Sequence, residues 1–314
     1  MTNRIQRFIA FLLVLCIPIF AIAGCTNNDV ANAANQVTTN ANGTYSIDTK
    51  TTTPEGKLDV YMLDIGQGDA ILLKVGDEYS MIDTGDIEHR ENIVAQLKTM
   101  GVTKLKNIII THPHADHMGG FYAIAKAMPI EHVYDDGIAV DNNMYKTYEK
   151  WIEKNKIQRT TLRSGDVVDF GHGAVFVVYA PWVEPLTDKK GETDLNNNSI
   201  VGKLIFGKFS MLFTGDAEWQ EEKKLIKEQN SRLFARILKV GHHGSRTSNS
   251  EDFLKSIKTE SALISNGRYN KYGHPHDVTL RRLQENNIAI YRTDTMGRIH
   301  ISTDGNEWQI TTER

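Results

Sequence analysis

From residue 55 onward the chain switches repeatedly between two hydrophobic periods. Residues 58–65, 70–75 and 79–82 are strand-like apolar runs joined through Gly66-Gln67-Gly68 and Gly76-Asp77, and they read as a meander. The period then changes. Over 91–100 the apolar positions are Ile93, Val94 and Leu97, and the run stops at Gly101 as an amphipathic helix does. A buried strand at 105–111, a helix at 120–128 and a weaker helix at 145–154 complete the first half. The second half repeats the plan, with strands at 174–179, 199–206 and 209–214, a helix near 218–228 and a strand at 235–240. Two sheets packed face to face with helices outside is the simplest layering for this series, although a doubly wound sheet has the same periodicity.

The first 54 residues are patterned differently. Residues 1–24 carry Arg4 and Arg7, an apolar stretch over 8–22, and Ala23-Gly24 before Cys25, which is the layout of a lipoprotein signal peptide. So long an apolar run also fits a transmembrane helix, and either reading places the bulk of the chain outside the cytoplasm. Residues 25–54 are dominated by Asn, Thr and Ala and are expected to be a disordered tether from a lipidated Cys25 to a single domain over 55–314. The other cysteine, Cys16, falls inside the signal, so neither a disulfide nor thiolate chemistry is expected and any metal ligands must be His and Asp. The formal net charge of -3 argues against a tight non-specific nucleic-acid binder. It leaves room for a hydrolase whose metal ions supply local positive charge.

The densest chemistry lies at 111–120, Thr-His-Pro-His-Ala-Asp-His-Met-Gly-Gly, directly after Ile108, Ile109 and Ile110. A strand ending here holds His112 and His114 on one side, while Asp116 and His117 turn away as a helix begins, so one loop can serve two cations. A purely structural role would place four polar groups at a strand end with nothing to coordinate, which is costly. Metal-assisted hydrolysis is the chemistry this cluster points to.

With a Thr-Gly-Asp ending at Asp216 and with His242-His243, the cluster resembles the metallo-β-lactamase fold, a four-layer αββα sandwich of the mixed α/β class. More narrowly, residues 63–70, 82–85 and 239–245, Asn198-Ser199 and Tyr272-Gly273-His274-Pro275-His276 are similar to the extracellular domain of ComEC-type competence DNA-uptake channels. The resemblance implies two divalent ions, Zn or Mn. His112 and His114 would hold the first, Asp116 and His117 the second, and Asp216 would bridge them. One of His242 and His243 would complete the second site. Neighbours in extended chain point oppositely, so the other of the pair would face substrate. The sequence does not fix which is which; His243 is taken as the ligand and His242 as the substrate or leaving-group contact, with His242 and Asp116 the catalytic candidates.

Many members of the superfamily carry a further ligand histidine where this chain has Asn198, which leaves the first metal fewer imidazoles, favours Mn beside Zn and disfavours β-lactam hydrolysis. Only residues 217–241 separate Asp216 from the histidine pair, too few for the inserted domain of β-CASP nucleases. Around the ligands, Asp83 is expected to support an imidazole, Asp64 and Asp69 to support the site's edge, and Asn198, Ser245 and His274 to support the site or meet substrate. His89, His132, His172 and His300 have no motif around them and read as surface or turn residues.

The expected protein is therefore a lipid-anchored dinuclear hydrolase outside the cytoplasm, cutting DNA or another phosphodiester, with no obligate protein partner. No polytopic membrane part is visible, so scavenging of extracellular DNA stands beside a role in uptake. An envelope phosphoesterase, such as a phosphorylcholine esterase acting on wall polymers, and a non-catalytic binding module are the competing expectations.

Overall fold

Strand alternation sorts the side chains into three separate cores, and that sorting dictates the layers. The computed structural model describes residues 37–39, 45–47 and 53–314. The expected signal peptide, Cys25 and most of the expected tether lie outside the described residues. Within residues 25–54, β1 (Val37–Thr39) and β2 (Tyr45–Ile47) pair antiparallel with each other.

One sheet comprises β3 (Leu58–Met62), β4 (Ala70–Val75), β5 (Glu78–Thr84), β6 (Leu105–Ile109), β7 (Ile130–Asp135), β8 (Gln158–Thr161), β16 (Ile299–Thr303) and β17 (Trp308–Thr312). Its order is β17-β16-β3-β4-β5-β6-β7-β8. The other comprises β9 (Val167–Gly171), β10 (Ala174–Ala180), β11 (Val201–Phe206), β12 (Phe209–Phe213), β13 (Ile237–Lys239), β14 (Ser261–Ile264) and β15 (Ala289–Arg292), in the order β15-β14-β13-β12-β11-β10-β9. Leu58, Val60, Ile71 and Leu73 of the first sheet meet Phe176, Phe206 and Phe213 of the second in the central core.

Intervening residues face outward to helices. Leu72, Met81 and Ile108 pack on α1 (Arg90–Thr99), α3 (Phe121–Ala127) and α4 (Asn143–Asn155), which follow α2 (Ala115–Met118) or flank it. Val175, Val177 and Leu212 pack on α5 (Trp219–Gln229), α6 (Glu251–Ile257) and α7 (Asp277–Glu285). The result is the expected αββα sandwich. The doubly wound alternative is excluded, because the strands form two sheets whose inner faces share one core, to which β10 contributes Ala174, Phe176 and Val178 while Val175, Val177 and Tyr179 face the helices.

The order of parallel strands positions the site. The neighbours β5-β6-β7 and β12-β13-β14 run parallel, so the loops after β5, β6, β12, β13 and β14 leave their sheets at carboxyl ends, where α/β proteins bind ligands. Several of the expected strands are shorter than their apolar runs. The run 58–65 is strand only over Leu58–Met62 and 105–111 only over Leu105–Ile109; 199–206 is strand only from Val201, after the 3-10 turn Asn196–Asn198, and 235–240 only over Ile237–Lys239.

Lys203 is buried in β11, donating to the carbonyls of Arg232 (2.6 Å) and Phe234 (3.2 Å). Burial, with Arg232 adding to it, lowers its pKa to about 8. The folded protein thus binds this proton less tightly than the unfolded chain, so stability rises with pH between about 8 and 10.5. Relative to Lys203→Met, the wild type should gain on the order of 3 kcal/mol between pH 7 and pH 10. Urea unfolding of both proteins at the two pH values measures this, and parallel curves would refute it.

Candidate metal centre

The carboxyl end of β6 delivers the histidine cluster into the gap between the sheets. His112 and His117 are fully buried, whereas His114 and Asp116 face a cavity of about 340 Å³. A tight turn makes room for them. Gly68 sits at φ +119, and a Cβ there would lie 2.4 Å from the Asp116 carbonyl oxygen, the acceptor for the Asp69 N–H at 3.0 Å. Gly68 therefore permits a contact that no L side chain would.

Asp216, at the end of β12, is the common point of the cluster. Its Oδ1 lies 3.2 Å from His117 Nε2 and 3.6 Å from His243 Nε2; its Oδ2 lies 3.9 Å from His112 Nε2 and 3.6 Å from His242 Nε2. Asp116 Oδ2 is 3.3 Å from His243 Nε2, and His112 Nε2 is 3.0 Å from His114 Nδ1. Asp116, His117, Asp216 and His243 each offer one ligand atom, all within 4.8 Å of one another. His117 Nε2, His243 Nε2 and Asp216 Oδ1 are buried without a hydrogen-bond partner. Buried polar atoms are rarely left so, and three converging on one point suit a divalent cation.

The electrostatics agree with that fit. Burial opposes charge on His243, yet Asp216 and Asp69 raise it to about 10, and Asp216 and Asp83 raise His117 well above its ordinary value. Burial likewise opposes ionisation of Asp216, but His117 and His243 hold it well below the usual carboxylate range. The cluster draws positive charge. His112, by contrast, is pushed well down by burial and by His117, which leaves it neutral and able to act as a ligand.

The remaining ring nitrogens are fixed by neighbours. Asp83 Oδ2 is 2.8 Å from His117 Nδ1, and the same carboxylate accepts from the Thr111 N–H (2.7 Å) and hydroxyl (2.8 Å). His243 Nδ1 is 2.9 Å from the Ser265 carbonyl. Asp69 is buried 3.4 Å from the same nitrogen and pairs with buried Lys239 at 2.7 Å. Its own burial is outweighed by Lys239 and His243, which lower it to about 2. Such partners orient ligand imidazoles and set their tautomers.

His242 and His243 meet different surroundings, but not through strand alternation. The chain is not extended there: both residues are left-handed, at φ 49° and 51°, within the turn Gly241–Gly244. The turn, rather than strand alternation, buries His243 and leaves His242 partly exposed, with its Nδ1 3.1 Å from Glu218 Oε1. The Thr247 hydroxyl donates to the same Glu218 oxygen at 2.8 Å.

Three expectations are corrected. Asn198 is fully buried, and its amide is saturated by the Leu186 N–H, the Leu186 carbonyl and the Asp194 carbonyl, so it braces a loop and meets no ligand. Ser199 beside it is the residue at the site, 3.3 Å from His112 Nδ1 and accepting the Asp216 N–H at 3.1 Å. Ser245 is buried in its own turn, 2.9 Å from the Thr247 hydroxyl, and offers nothing to the cavity. Asp64 lies away from the site, ion-paired to Arg314 at 2.8 Å. His274 does line the cavity, and burial and then the charges of His243 and His242 lower it to about 4.

Glu218, Lys239, Ser199 and Gln67 join the site beyond the residues expected from the sequence. A lysine inside the apolar strand β13 was the one signal in the sequence that could have exposed the buried pair with Asp69.

An αββα sandwich with a His and Asp centre at its strand ends defines a class of metal-binding hydrolase folds. The chain belongs to the metallo-β-lactamase superfamily, whose family model matches residues 63–268. It is 28% identical over 247 residues to Competence protein ComA of Neisseria gonorrhoeae, covering 78% of this chain and 32% of the relative. It is 29% identical over 264 residues to ComE operon protein 3 of Bacillus subtilis (strain 168), covering 78% and 33%. The chain thus spans about a third of the length of these curated relatives. Among solved structures, the metallo-beta-lactamase fold protein YhfI from Bacillus subtilis shares the fold with a TM-score of 0.53 at 11% identity, covering 79% of this chain and 100% of that one. Among the described residues no helix is long and apolar enough to cross a membrane.

Proposed function

We propose that the chain is a dinuclear metal-dependent phosphodiesterase that cuts DNA outside the cytoplasm, held to the membrane through a lipidated Cys25. The observation that carries the catalytic part is the position of Asp216, reached by His112 and His242 at one oxygen and by His117 and His243 at the other. His112 and His114 would hold one ion, Asp116, His117 and His243 the other, with Asp216 shared. When bound, a pair of divalent ions supplies an activated water and neutralises charge on the phosphoryl oxygens.

The protein's own groups do the rest. Asp83 and Ser265 fix the tautomers of His117 and His243. Glu218 orients His242, a partly exposed imidazole lining the cavity, to hold a proton for the leaving oxygen. The first site gains no third imidazole from Asn198, which is committed to backbone, and this donor set suits Mn as well as Zn. The names of the competence-protein relatives support a nucleic-acid phosphodiester as substrate. The signal-like residues 1–24 support export.

Purified protein loaded with Mn²⁺ or Zn²⁺ should cut plasmid, single-stranded DNA and a chromogenic diester, and His114→Ala should lower each rate by about 100-fold or more. Survival of both DNAs while the small ester is cleaved would defeat the nuclease reading alone. Wild-type rates in His114→Ala would defeat the metal reading.

A further inference from the structure

A second cavity of about 530 Å³ adjoins the metal-facing one, sharing Gln67, Ala115, Asp116 and Tyr272 as walls. Its far side is the loop 267–274, Gly-Arg-Tyr-Asn-Lys-Tyr-Gly-His, in which basic and aromatic residues alternate. This loop is rigidly built. The Asn270 side chain donates to the carbonyls of Gly267 (2.9 Å) and His274 (2.6 Å) and accepts from the N–H groups of Tyr272 (3.2 Å) and His274 (3.0 Å). Gly267 packs so closely on the Gly66-Gln67 turn that a Cβ would lie 2.8 Å from the Gln67 nitrogen.

The rings on this braced loop do little for the fold. Tyr269 is 95% exposed and held at φ +60, a conformation that costs an aromatic residue energy and turns its ring to solvent. Tyr272 is 51% exposed and continues a stack that starts at the metal centre. His243 and His274 lie 6.3 Å apart at 26°, and His274 and Tyr272 lie 5.6 Å apart at 23°. Arg268 and Lys271 stand exposed beside them, with Lys271 Nζ 5.1 Å from the Tyr272 ring centre. On the shared wall, both polar atoms of the Gln67 amide are buried without a partner, offering a donor and an acceptor together.

The cavity is not a plain cationic groove. It also carries Glu88 and Asp86, the latter tied to His89 at 2.9 Å. Aromatic faces, an unpaired amide and only two cations fit a base and its sugar better than a run of phosphates.

We infer that the loop 267–274 forms a nucleobase subsite of the metal centre, so that the phosphodiester is presented by a single-stranded polynucleotide. The base beside the scissile phosphate lies against Tyr269 and Tyr272 with its edge toward Gln67, and Arg268 and Lys271 meet the next phosphate. A duplex keeps its base faces stacked on one another and cannot offer one to these rings. The inference rests on the phosphodiesterase reading for its reaction, but the subsite itself is a binding claim.

The test therefore has a binding arm and a rate arm, both on the full chain. Anisotropy of a labelled phosphorothioate oligothymidylate, which resists cleavage, should show single-strand affinity about tenfold weaker in Tyr269→Ala/Tyr272→Ala, with Tyr269→Phe/Tyr272→Phe retaining it. In the rate arm, kcat/KM for thymidine 5′-(p-nitrophenyl phosphate) divided by that for methyl p-nitrophenyl phosphate should fall by a similar factor of about ten in the alanine pair only. Wild-type affinity and ratio in the alanine pair, or equal binding of single strand and duplex, would overturn the subsite. Loss of oligothymidylate binding in the alanine pair, with no diester turned over by the wild type, would uphold the subsite and remove the phosphodiesterase reading.

Discussion

Asp216→Asn should lower kcat/KM on DNA and on chromogenic diesters by on the order of 10³-fold while leaving the fold intact. The substitution keeps the shape of the side chain and removes its charge. His117, His243 and His242 all face this carboxylate, and together they hold it ionised against complete burial. An amide has one carbonyl oxygen in place of two anionic ones, so it cannot serve His112 and His242 on one side and His117 and His243 on the other. Steady-state rates across a metal titration check this, because weakened binding alone would be recovered at high metal and loss of the shared carboxylate would not. A variant within tenfold of the wild type at saturating metal would show that Asp216 is not the shared group.

Lys239→Met should cost about 3–5 kcal/mol of stability, because it strands Asp69 as a buried charge without its partner. Both groups are 1% exposed, and the pair is 2.7 Å apart. For a chain of this size the loss corresponds to a Tm lower by roughly 6–15 °C. Asp69→Asn in the same protein should restore part of it, since the uncompensated charge is then gone. Thermal unfolding of the single and double variants measures the effect. A single variant within about 1 kcal/mol of the wild type would mean that His243 alone compensates Asp69.

Much of this site is legible in the sequence because its ligands sit where strands end. The motif 112–117 follows a triple isoleucine, Asp216 follows the apolar β12, and the histidine pair follows β13, so period and spacing expose them. The four layers follow from the same alternation. What escapes is set by individual side-chain hydrogen bonds and ion pairs, near and far in sequence, which carry no period. Asn198 binds the backbone of Leu186 and Asp194, and Asp64 is claimed by Arg314 from the other end of the domain. Ser245 closes its own turn. The left-handed backbone of His242 and His243 likewise carries no period: histidine enters that region more readily than most residues but still uncommonly, and here hydrogen bonds from the His242 N–H to Gly215 and from the Ser245 N–H to His242 hold it.

Measuring bound metal tests the central claim most directly. After equilibration with Mn²⁺ or Zn²⁺ and removal of free ion, elemental analysis of the wild type should give two ions per chain. His114→Ala should keep close to one, because Asp116, His117, Asp216 and His243 remain together, whereas Asp216→Asn should weaken both. A wild type that holds no more than one ion, or whose content is unchanged by Asp216→Asn, would contradict the account.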